Sequence, residues 1–190
     1  MAARKRENAQ KRRVRRAYDE IGGQLYDLRY AEEQGEKYTW ALSRISLKEC
    51  QPILDAGCGT GAFLEMLQSM DLTAVGVDFS GELLSWARKK LNSSGNLHLL
   101  MSDADYMPFR KSVFKSFFAF TLLQNVPDPN LTLTEAIRVL QDRALIVVTG
   151  LRKEYNLELF HSLLSSSGLK ILEESASDLK DFVSICERER

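Results

Sequence analysis

An acidic residue followed by three glycines at alternate positions is the stretch of this sequence best suited to chemistry. Asp55 ends the apolar start of ILDAGCGTGAF, residues 53–63, and Gly57, Gly59 and Gly61 follow it. Glycine has no Cβ and tolerates a positive φ, so a ligand can lie directly against such a turn. A helix beginning near Gly61 would direct its free N–H groups at that ligand. An apolar run, a glycine-rich turn and a helix together predict the first βα unit of a nucleotide-binding α/β domain.

The spacing of the glycines narrows the class of nucleotide. Dinucleotide-binding turns have the spacing G-x-G-x-x-G, and P-loops carry Lys-Ser or Lys-Thr after the last glycine. Here the pattern is D-x-G-x-G-x-G without that lysine. It resembles the first motif of class I S-adenosylmethionine-dependent methyltransferases, in which the loop faces the methionine part of the cofactor. The resemblance implies contacts to S-adenosylmethionine from Asp55, Gly57, Cys58 and Gly59, whereas the alternative is a glycine-rich turn without a ligand.

A second acid follows the glycines by some 20 residues. Asp78 lies near the end of TAVGVDF, residues 73–79, which is typical of a buried strand. A carboxylate at this point can accept hydrogen bonds from both ribose hydroxyls of an adenosine. The other role for Asp78 is to cap the next helix, for which Ser80 is better placed. Asp78 matches the family's second motif, and the resemblance implies a ribose contact with Phe79 against the adenine ring.

A third acid lies in SDADYMPF, residues 102–109. The segment is similar to the family's third motif, an acid and a small residue after the third strand. The resemblance implies that Asp103 accepts from the adenine amino group and that the Ala104 N–H meets a ring nitrogen. Asp105 is a second candidate for the acid, although spacing favours Asp103. A turn residue is the alternative, because Asp favours turns.

The segment FAFTLLQNVPDP, residues 118–129, stands where the family has its fourth motif. The resemblance places Thr121 at the cofactor and Gln124 and Asn125 at the methyl acceptor. Amide side chains position a substrate by hydrogen bonds and take no proton at neutral pH. The sequence therefore indicates substrate-binding residues here, and no residue is assigned as a general base or other catalytic group.

The segment before the glycine turn contains tyrosines that could form a lid over the bound ligand. Tyr18 and Tyr26 are each followed by an aspartate, and Tyr30 lies one helical turn beyond Tyr26. Many relatives in the family have an N-terminal Tyr-Asp segment that folds over the cofactor, so Tyr18 and Tyr26 are predicted at the cofactor and Tyr30 at the substrate. The alternative is that these tyrosines pack a helix on the sheet.

The elements that must position these residues alternate between strand and helix. Apolar periodicity predicts a helix over residues 32–46, a fourth strand within residues 113–123, and two final strands over residues 169–174 and 182–187. Such alternation favours an α/β, Rossmann-like, mostly parallel sheet with helices on both faces and the last two strands as a hairpin. The resemblance covers residues 17–188 and implies seven strands, the class I methyltransferase fold.

Composition is that of an ordinary globular domain. The 190 residues are 44% hydrophobic and 27% charged, and no apolar run approaches the length that crosses a bilayer. The three cysteines form no C-x-x-C pair, so neither a disulfide framework nor a zinc site is expected. His98 and His161 have no companions at ligand spacing, so no metal is expected. A reducing cytoplasm fits these observations.

The charge is strongly asymmetric although the chain is neutral overall. Residues 1–16 carry eight of the 26 basic residues and one of the 26 acids, which leaves 18 bases against 25 acids in residues 17–190. The eight are Arg4, Lys5, Arg6, Lys11, Arg12, Arg13, Arg15 and Arg16. We treat residues 1–16 as a basic arm, either a charged helix or disordered, and residues 17–190 as a single methyltransferase domain.

The arm raises the question of the methyl acceptor. Dense positive charge suits the phosphates of RNA, and residues 4–16 are the expected contact, whereas a solubilising or targeting tail is the alternative. A small metabolite or a protein side chain stays open as acceptor, and a small activating protein is a further expected partner. A dinucleotide-dependent oxidoreductase is disfavoured by the glycine spacing, and a non-catalytic methyltransferase-fold binding protein remains an alternative.

Overall fold

A computed structural model describes residues 2–91, 95–176 and 178–188 of the chain. These residues contain seven strands and six α-helices, joined by turns and two short 3-10 helices. The strands are β1 (Ile53–Ala56), β2 (Ala74–Asp78), β3 (Leu97–Met101), β4 (Phe114–Ala119), β5 (Leu140–Leu151), β6 (Leu169–Glu174) and β7 (Asp181–Arg188). The helices are α1 (Ala2–Ile21), α2 (Gly23–Leu42), α3 (Ala62–Leu67), α4 (Gly81–Lys90), α5 (Pro129–Val139) and α6 (Leu157–Ser166).

All seven strands belong to one sheet in the order β3-β2-β1-β4-β5-β7-β6. β1 to β5 pair in parallel, and β7 pairs antiparallel with both β5 and β6. The predicted seven-stranded, mostly parallel sheet with a terminal hairpin is confirmed. Strand order reverses at β1 and β4, and ligands of open α/β sheets bind where the strands end near such a switch point.

Helices cover both faces of the sheet because the buried strands present apolar side chains alternately to each side. Leu54 of β1 packs into one core cluster with residues of α5 and α6, such as Phe160. Ile53 packs into the other, with Tyr38 of α2 and Phe63 of α3. The sheet is therefore a rigid middle layer whose strand ends can hold side chains in fixed positions.

Helix α2 begins nine residues earlier than the predicted helix at residues 32–46, and it ends earlier, at Leu42. A pair of glycines favours an interruption of a helix, but here the break is confined to Gly22, whose φ is 71°. Gly23 is helical, and a Cβ there would lie 2.3 Å from Cγ of Trp86 on α4. The second glycine thus permits close packing of α2 against α4 and does not interrupt the helix.

The basic segment is helical, which decides between the two conformations that the sequence left open. Helix α1 passes residue 17 without a break, and Lys11, Val14 and Tyr18 on its inner face line a cavity in the domain. The division into an arm at 1–16 and a domain at 17–190 stays a prediction. The side chains of Arg4 and Lys5 lie outside the described residues.

Strand β4 ends at Ala119, earlier than the predicted limit of residue 123. Thr121 has a φ of 57°, which takes the chain out of the extended conformation. Its N–H donates to the Thr149 hydroxyl, 2.7 Å away, which fixes the turn. A short 3-10 helix, Leu123–Asn125, follows, so Asn125 comes back towards the end of the sheet.

Candidate active site

The glycine turn joins β1 to α3 with left-handed backbone at all three glycines. The φ angles of Gly57, Gly59 and Gly61 are 72°, 51° and 72°. The N–H groups of Gly57 and Cys58 donate to the Val77 carbonyl of β2, at 2.8 and 3.0 Å. The turn is thus tied to the neighbouring strand and leaves an open backbone surface at the ends of β1 and β2. The Cys58 thiol is buried, which raises its pKa well above the ordinary value.

Asp78 lies at the end of β2 and faces the same turn. It is 7% exposed, and its two oxygens accept from the N–H groups of Gly59 and Ser80, at 2.9 and 2.8 Å. Burial raises the pKa of its carboxyl, although these backbone hydrogen bonds oppose the shift. Ser80 is the residue that caps α4, because its hydroxyl accepts from the Leu83 N–H at 3.1 Å. Asp78 therefore does not cap the helix, and the ribose contact stays the predicted role for it.

Asp103, after β3, is held by a cation that the sequence did not indicate. Lys11 of α1 contacts both Asp103 oxygens, at 2.8 and 2.6 Å, and also the carboxylate of Asp105. Burial alone would lower the pKa of Lys11, but the hydrogen bonds and charges of the two aspartates raise it. Asp105 is 3% exposed and accepts a short hydrogen bond from Thr132, so it is bound inside the domain. The basic helix is thereby fastened over the acid predicted for the adenine amino group.

Two tyrosines of the candidate lid lie side by side above the sheet. The rings of Tyr18 and Tyr26 are 5.8 Å apart, and Tyr30 lies 4.8 Å from Tyr26. The Tyr18 hydroxyl accepts from the side-chain amide of Asn125, 3.0 Å away. Burial, with a smaller contribution from the charges of Tyr30 and Asp78, raises the pKa of Tyr18 to about 12. Tyr18 is therefore protonated at neutral pH and can act as a hydrogen-bonding group, not as a base.

The aspartates that follow the two tyrosines fasten the lid to the domain. Asp19 accepts from the Ser80 hydroxyl at 2.5 Å. Asp27 accepts hydrogen bonds from Thr60 of the glycine turn and from Trp86 and Lys90 of α4. These bonds join α1 and α2 to the glycine turn and to α4, so each aspartate holds the tyrosine beside it over the sheet.

Two adjoining cavities open at this end of the sheet, with empty volumes of about 660 and 890 Å³ that include space open to solvent. The first contains most of the residues predicted for the cofactor: Gly57, Gly59, Asp78, Phe79, Asp103, Ala104, Tyr18, Tyr26 and Thr121. The second lies over β1 and contains Asp55, Cys58, Tyr30 and Gln34. Tyr26, Gly57, Gly59 and Phe120 line both, so the two form one elongated cleft.

The predicted acceptor residues separate in the structure. Asn125 lines the first cavity and Tyr30 the second, whereas Gln124 lines neither of them. The amide nitrogen and oxygen of Gln124 are buried without a hydrogen-bond partner. The side-chain hydroxyl of Thr121 accepts from Gln34 and Lys37, so its bonds are made towards α2.

Polar residues of α2 belong to the site although they were not among the predicted ones. Gln34 is 5% exposed, and Lys37 is 1% exposed and pairs with Asp181 at 2.6 Å. Tyr38 and Ala41 are apolar residues on the buried face of this helix, and Gln34 and Lys37 lie one turn before them on the same face. Polar residues on an otherwise apolar face were the signal that would have found them.

Taken together, the strand order, the glycine turn and the acids at the ends of adjacent strands define a class I S-adenosylmethionine-dependent methyltransferase fold. The chain belongs to the methyltransferase-domain family, whose profile matches residues 54–148, half of its length. The cofactor of this class is S-adenosylmethionine.

Known proteins agree with this assignment. Demethylmenaquinone methyltransferase from Staphylococcus saprophyticus is 29% identical over 145 residues, which are 73% of this chain and 62% of that protein. The chain thus spans less than two thirds of that relative. Among solved structures, a methyltransferase in complex with the Haloferax volcanii Trm112 methyltransferase activator has a TM-score of 0.79 and 16% identity, covering 91% of this chain and 98% of the other.

A cofactor-bound structure shows the same fold. Magnesium protoporphyrin IX methyltransferase from Synechocystis, solved with bound S-adenosylmethionine, has a TM-score of 0.68 and 17% identity, covering 87% of this chain and 83% of the other. At these identities the likeness shows the fold alone. The residues of the cleft fit the cofactor, because Asp55, Asp78 and Asp103 lie at or just beyond the ends of the neighbouring strands β1, β2 and β3. Asp55 also has a buried oxygen without a hydrogen-bond partner.

In the described part of the chain, no helix is long and apolar enough to span a membrane. Within those same ranges, no group of three histidines, cysteines or acids is placed to hold a metal ion.

Proposed function

We propose that this protein transfers the methyl group of S-adenosylmethionine to RNA. The observation that carries the proposal is the two-sided character of α1. Its inner face, with Lys11 and Tyr18, lines the cofactor cleft. Its outer face exposes four arginines, Arg12, Arg13, Arg15 and Arg16. A phosphate backbone held on the outer face would lie one helix diameter, roughly 10 Å, from the methyl donor.

Cofactor binding in this proposal uses the strand ends. Asp78 would accept from the ribose hydroxyls and Phe79 would lie against the adenine, whose edge Asp103 and Ala104 would contact. The turn at Gly57 and Gly59 would receive the methionine part. When bound, the cofactor supplies an electrophilic methyl group on a sulfonium. The protein then needs to align the acceptor and exclude water.

Exclusion of water is the role that the geometry supports for the lid. Tyr18 and Tyr26 close the cleft from above, and both phenol pKa values are raised by burial. Asn125 is held by Tyr18 and by the Thr121 carbonyl, at 3.0 and 2.7 Å, so its amide has a fixed orientation for an acceptor. These groups orient by hydrogen bonding, which suits an acceptor that is nucleophilic without losing a proton first.

We propose in addition that a small activating protein binds this chain. The support is the similarity in fold to the Haloferax volcanii methyltransferase that is complexed with Trm112, over 91% of this chain. Co-expression with a protein of that kind is expected to raise the melting temperature or the soluble yield of the chain.

A small apolar metabolite is the second candidate acceptor. It is favoured by the aromatic lining of the cleft, with Tyr18, Tyr26 and Phe120 in the first cavity. The demethylmenaquinone methyltransferase among the relatives points the same way.

The experiment that tests the RNA proposal is a salt titration of RNA binding. Each phosphate neutralised adds about 0.7–0.9 to the slope of log affinity against log salt. We expect a slope of about −3 to −5 for the full chain, falling in magnitude when the four outer arginines are changed to Gln. The matched control changes Lys48, Lys111, Lys115 and Lys170 to Gln, four exposed lysines that precede or begin strands β1, β4 and β6, at the strand ends opposite the cleft. Equal slopes for both variants, or no RNA binding at low salt, would favour the metabolite.

A further inference from the structure

The two edges of the sheet differ in the features that prevent pairing with another chain. β6 forms one edge, where it carries Lys170, Glu173 and Glu174 and is interrupted by a bulge between residues 171 and 173. β3 forms the other edge, and its sequence, LHLLM, contains no lysine, arginine, acid or proline. All five of its residues pair with β2 in one unbroken register. Charges, prolines and bulges keep edge strands from pairing with other chains, so β6 is protected and β3 is not.

The backbone of β3 directs the N–H and C=O groups of alternate residues away from the domain. The Asn96 carbonyl and the Ser102 N–H both form hydrogen bonds with β2, at 2.9 Å. Successive residues of a strand turn these groups to opposite sides, so the even-numbered residues face β2. Leu97, Leu99 and Met101 therefore direct their N–H and C=O groups to the side away from β2. A further strand would pair with these groups.

The side chains at this edge suit a second copy of the same strand. Met101 is 61% exposed and Leu99 is partly buried, so pairing would remove apolar surface from water. Like charges that face each other across two strands oppose pairing, and β3 has none to bring together. The neighbouring helix α4 leaves room at this end, because the residue beside Met101 is Gly81. A Cβ on residue 81 would lie 3.6 Å from the Met101 sulfur.

We propose that two copies of this chain associate through β3, with the two strands antiparallel about a two-fold axis at Leu99. In this register Leu99 is opposite the same residue of the second copy, and Leu97 is opposite Met101. Each such pair exchanges two backbone hydrogen bonds, which gives about six for the interface. The contact is self-complementary, as a two-fold axis requires. The strand ends that hold the two clefts point in opposite directions, so both clefts stay open to ligands.

The first test measures the mass of the chain in solution by analytical ultracentrifugation. We expect the mass to rise from one copy to two between about 1 and about 500 µM, because a short edge-to-edge contact is a weak interface. Met101→Lys places a charge on the proposed interface and should weaken association at least about tenfold. The matched control is Leu172→Lys on β6, the opposite edge, where the leucine is 45% exposed. The control should associate like the wild-type chain.

The second test locates the two-fold axis by disulfide formation under mild oxidation. Opposite residues of a hydrogen-bonded pair have Cα atoms about 5.5 Å apart, within the range that a disulfide bridges. Leu99→Cys should therefore form a covalent dimer. In the same register the two copies of residue 98 are about 8 Å apart, beyond that range, so His98→Cys is the matched control. The three native cysteines are buried, and the wild-type chain gives the background.

The outcomes decide both the association and its place. A wild-type chain that keeps the mass of one copy throughout would overturn the proposal and leave this edge for a strand of a different protein. Association that Met101→Lys does not weaken, or disulfide formation that is equal at positions 98 and 99, would show that β3 is not the interface. If Leu99→Cys does not fold, as judged by its melting curve, the comparison of Met101→Lys with Leu172→Lys still decides.

Discussion

Lys11 of α1 forms an ion pair with Asp103 after β3, with 2.6 Å between Nζ and Oδ2. The two residues are 92 positions apart, yet both oxygens of Asp103 accept from this one ammonium group. Asp103 is the acid predicted to receive the adenine amino group. If Asp103 has that role, Lys11 competes with the adenine amino group for this carboxylate while α1 is in the position described.

Replacing Lys11 by Met should therefore tighten cofactor binding. The competing ion pair is worth on the order of 1 kcal/mol, so we expect affinity for S-adenosylhomocysteine to rise several-fold. Calorimetry measures this, with Arg12→Met on the exposed face of α1 as the matched control. Weaker binding by Lys11→Met, with the control unchanged, would show that Lys11 supports the cofactor and does not compete with it.

Removing the carboxylate of Asp78 should weaken cofactor binding strongly. If both ribose hydroxyls donate to it, Asp78→Ala costs about 2–4 kcal/mol of binding free energy, because two charge-assisted bonds are lost. The measurement is affinity for S-adenosylhomocysteine, with Asp142→Ala on the exposed part of β5 as the control. A folded Asp78→Ala variant with unchanged affinity would rule out the ribose contact.

Cofactor binding should release a proton from Asp55. Burial raises its pKa to about 8, above its ordinary value of 3.8, so the free protein holds this proton at pH 7. The ammonium group of the cofactor's methionine part would lower the pKa of Asp55 when it binds near this carboxyl. Affinity for S-adenosylhomocysteine is therefore expected to rise with pH between about 6 and 8. Calorimetry in buffers of different ionisation enthalpy should show a release of up to about one proton.

Asp55→Asn is the control for this release, since an amide does not titrate. Asp78 also has a raised pKa and remains in that variant, so any release that persists belongs elsewhere. Proton release that is the same in Asp55→Asn and in the wild-type chain would mean that Asp55 is not the titrating group.

Breaking the ion pair between Lys37 and Asp181 should destabilise the fold. Their side chains are 1% and 0% exposed, so Lys37→Met leaves a carboxylate buried without its cation. Such losses cost about 3–5 kcal/mol of unfolding free energy. Urea denaturation measures it, with Lys180→Met as the control, because Lys180 is 71% exposed at its side chain. Equal stabilities would show that the pair contributes little.

Local sequence was sufficient for the parts of the site that adjacent residues build. Asp78, two residues before the Ser80 cap, is at the end of its strand as predicted, because strand ends and helix caps depend on short-range patterns. The contacts of Lys11 and Gln34 in the site were not predicted, because their partners, Asp103 and Thr121, are 92 and 87 positions away in the sequence. Contacts over such separations depend on how helices dock, and periodicity in one segment does not encode that.

The extent of α2 illustrates a second limit. A pair of glycines normally indicates a break, yet Gly23 is helical. A glycine is required at this position because Trp86 of α4 occupies the space that a side chain on residue 23 would fill. A packing requirement set by a distant helix therefore overrode the local tendency of glycine to end a helix.

Methyl transfer itself is the most direct test of the account. The chain is incubated with S-adenosylmethionine labelled at the methyl group and with a cell extract, which is then separated into RNA, protein and small-molecule fractions. The account predicts label in RNA, reduced when Arg12, Arg13, Arg15 and Arg16 are changed to Gln and undiminished when Lys48, Lys111, Lys115 and Lys170 are changed. Label confined to the small-molecule or protein fraction, or transfer to RNA that is equal in the two variants, would contradict it.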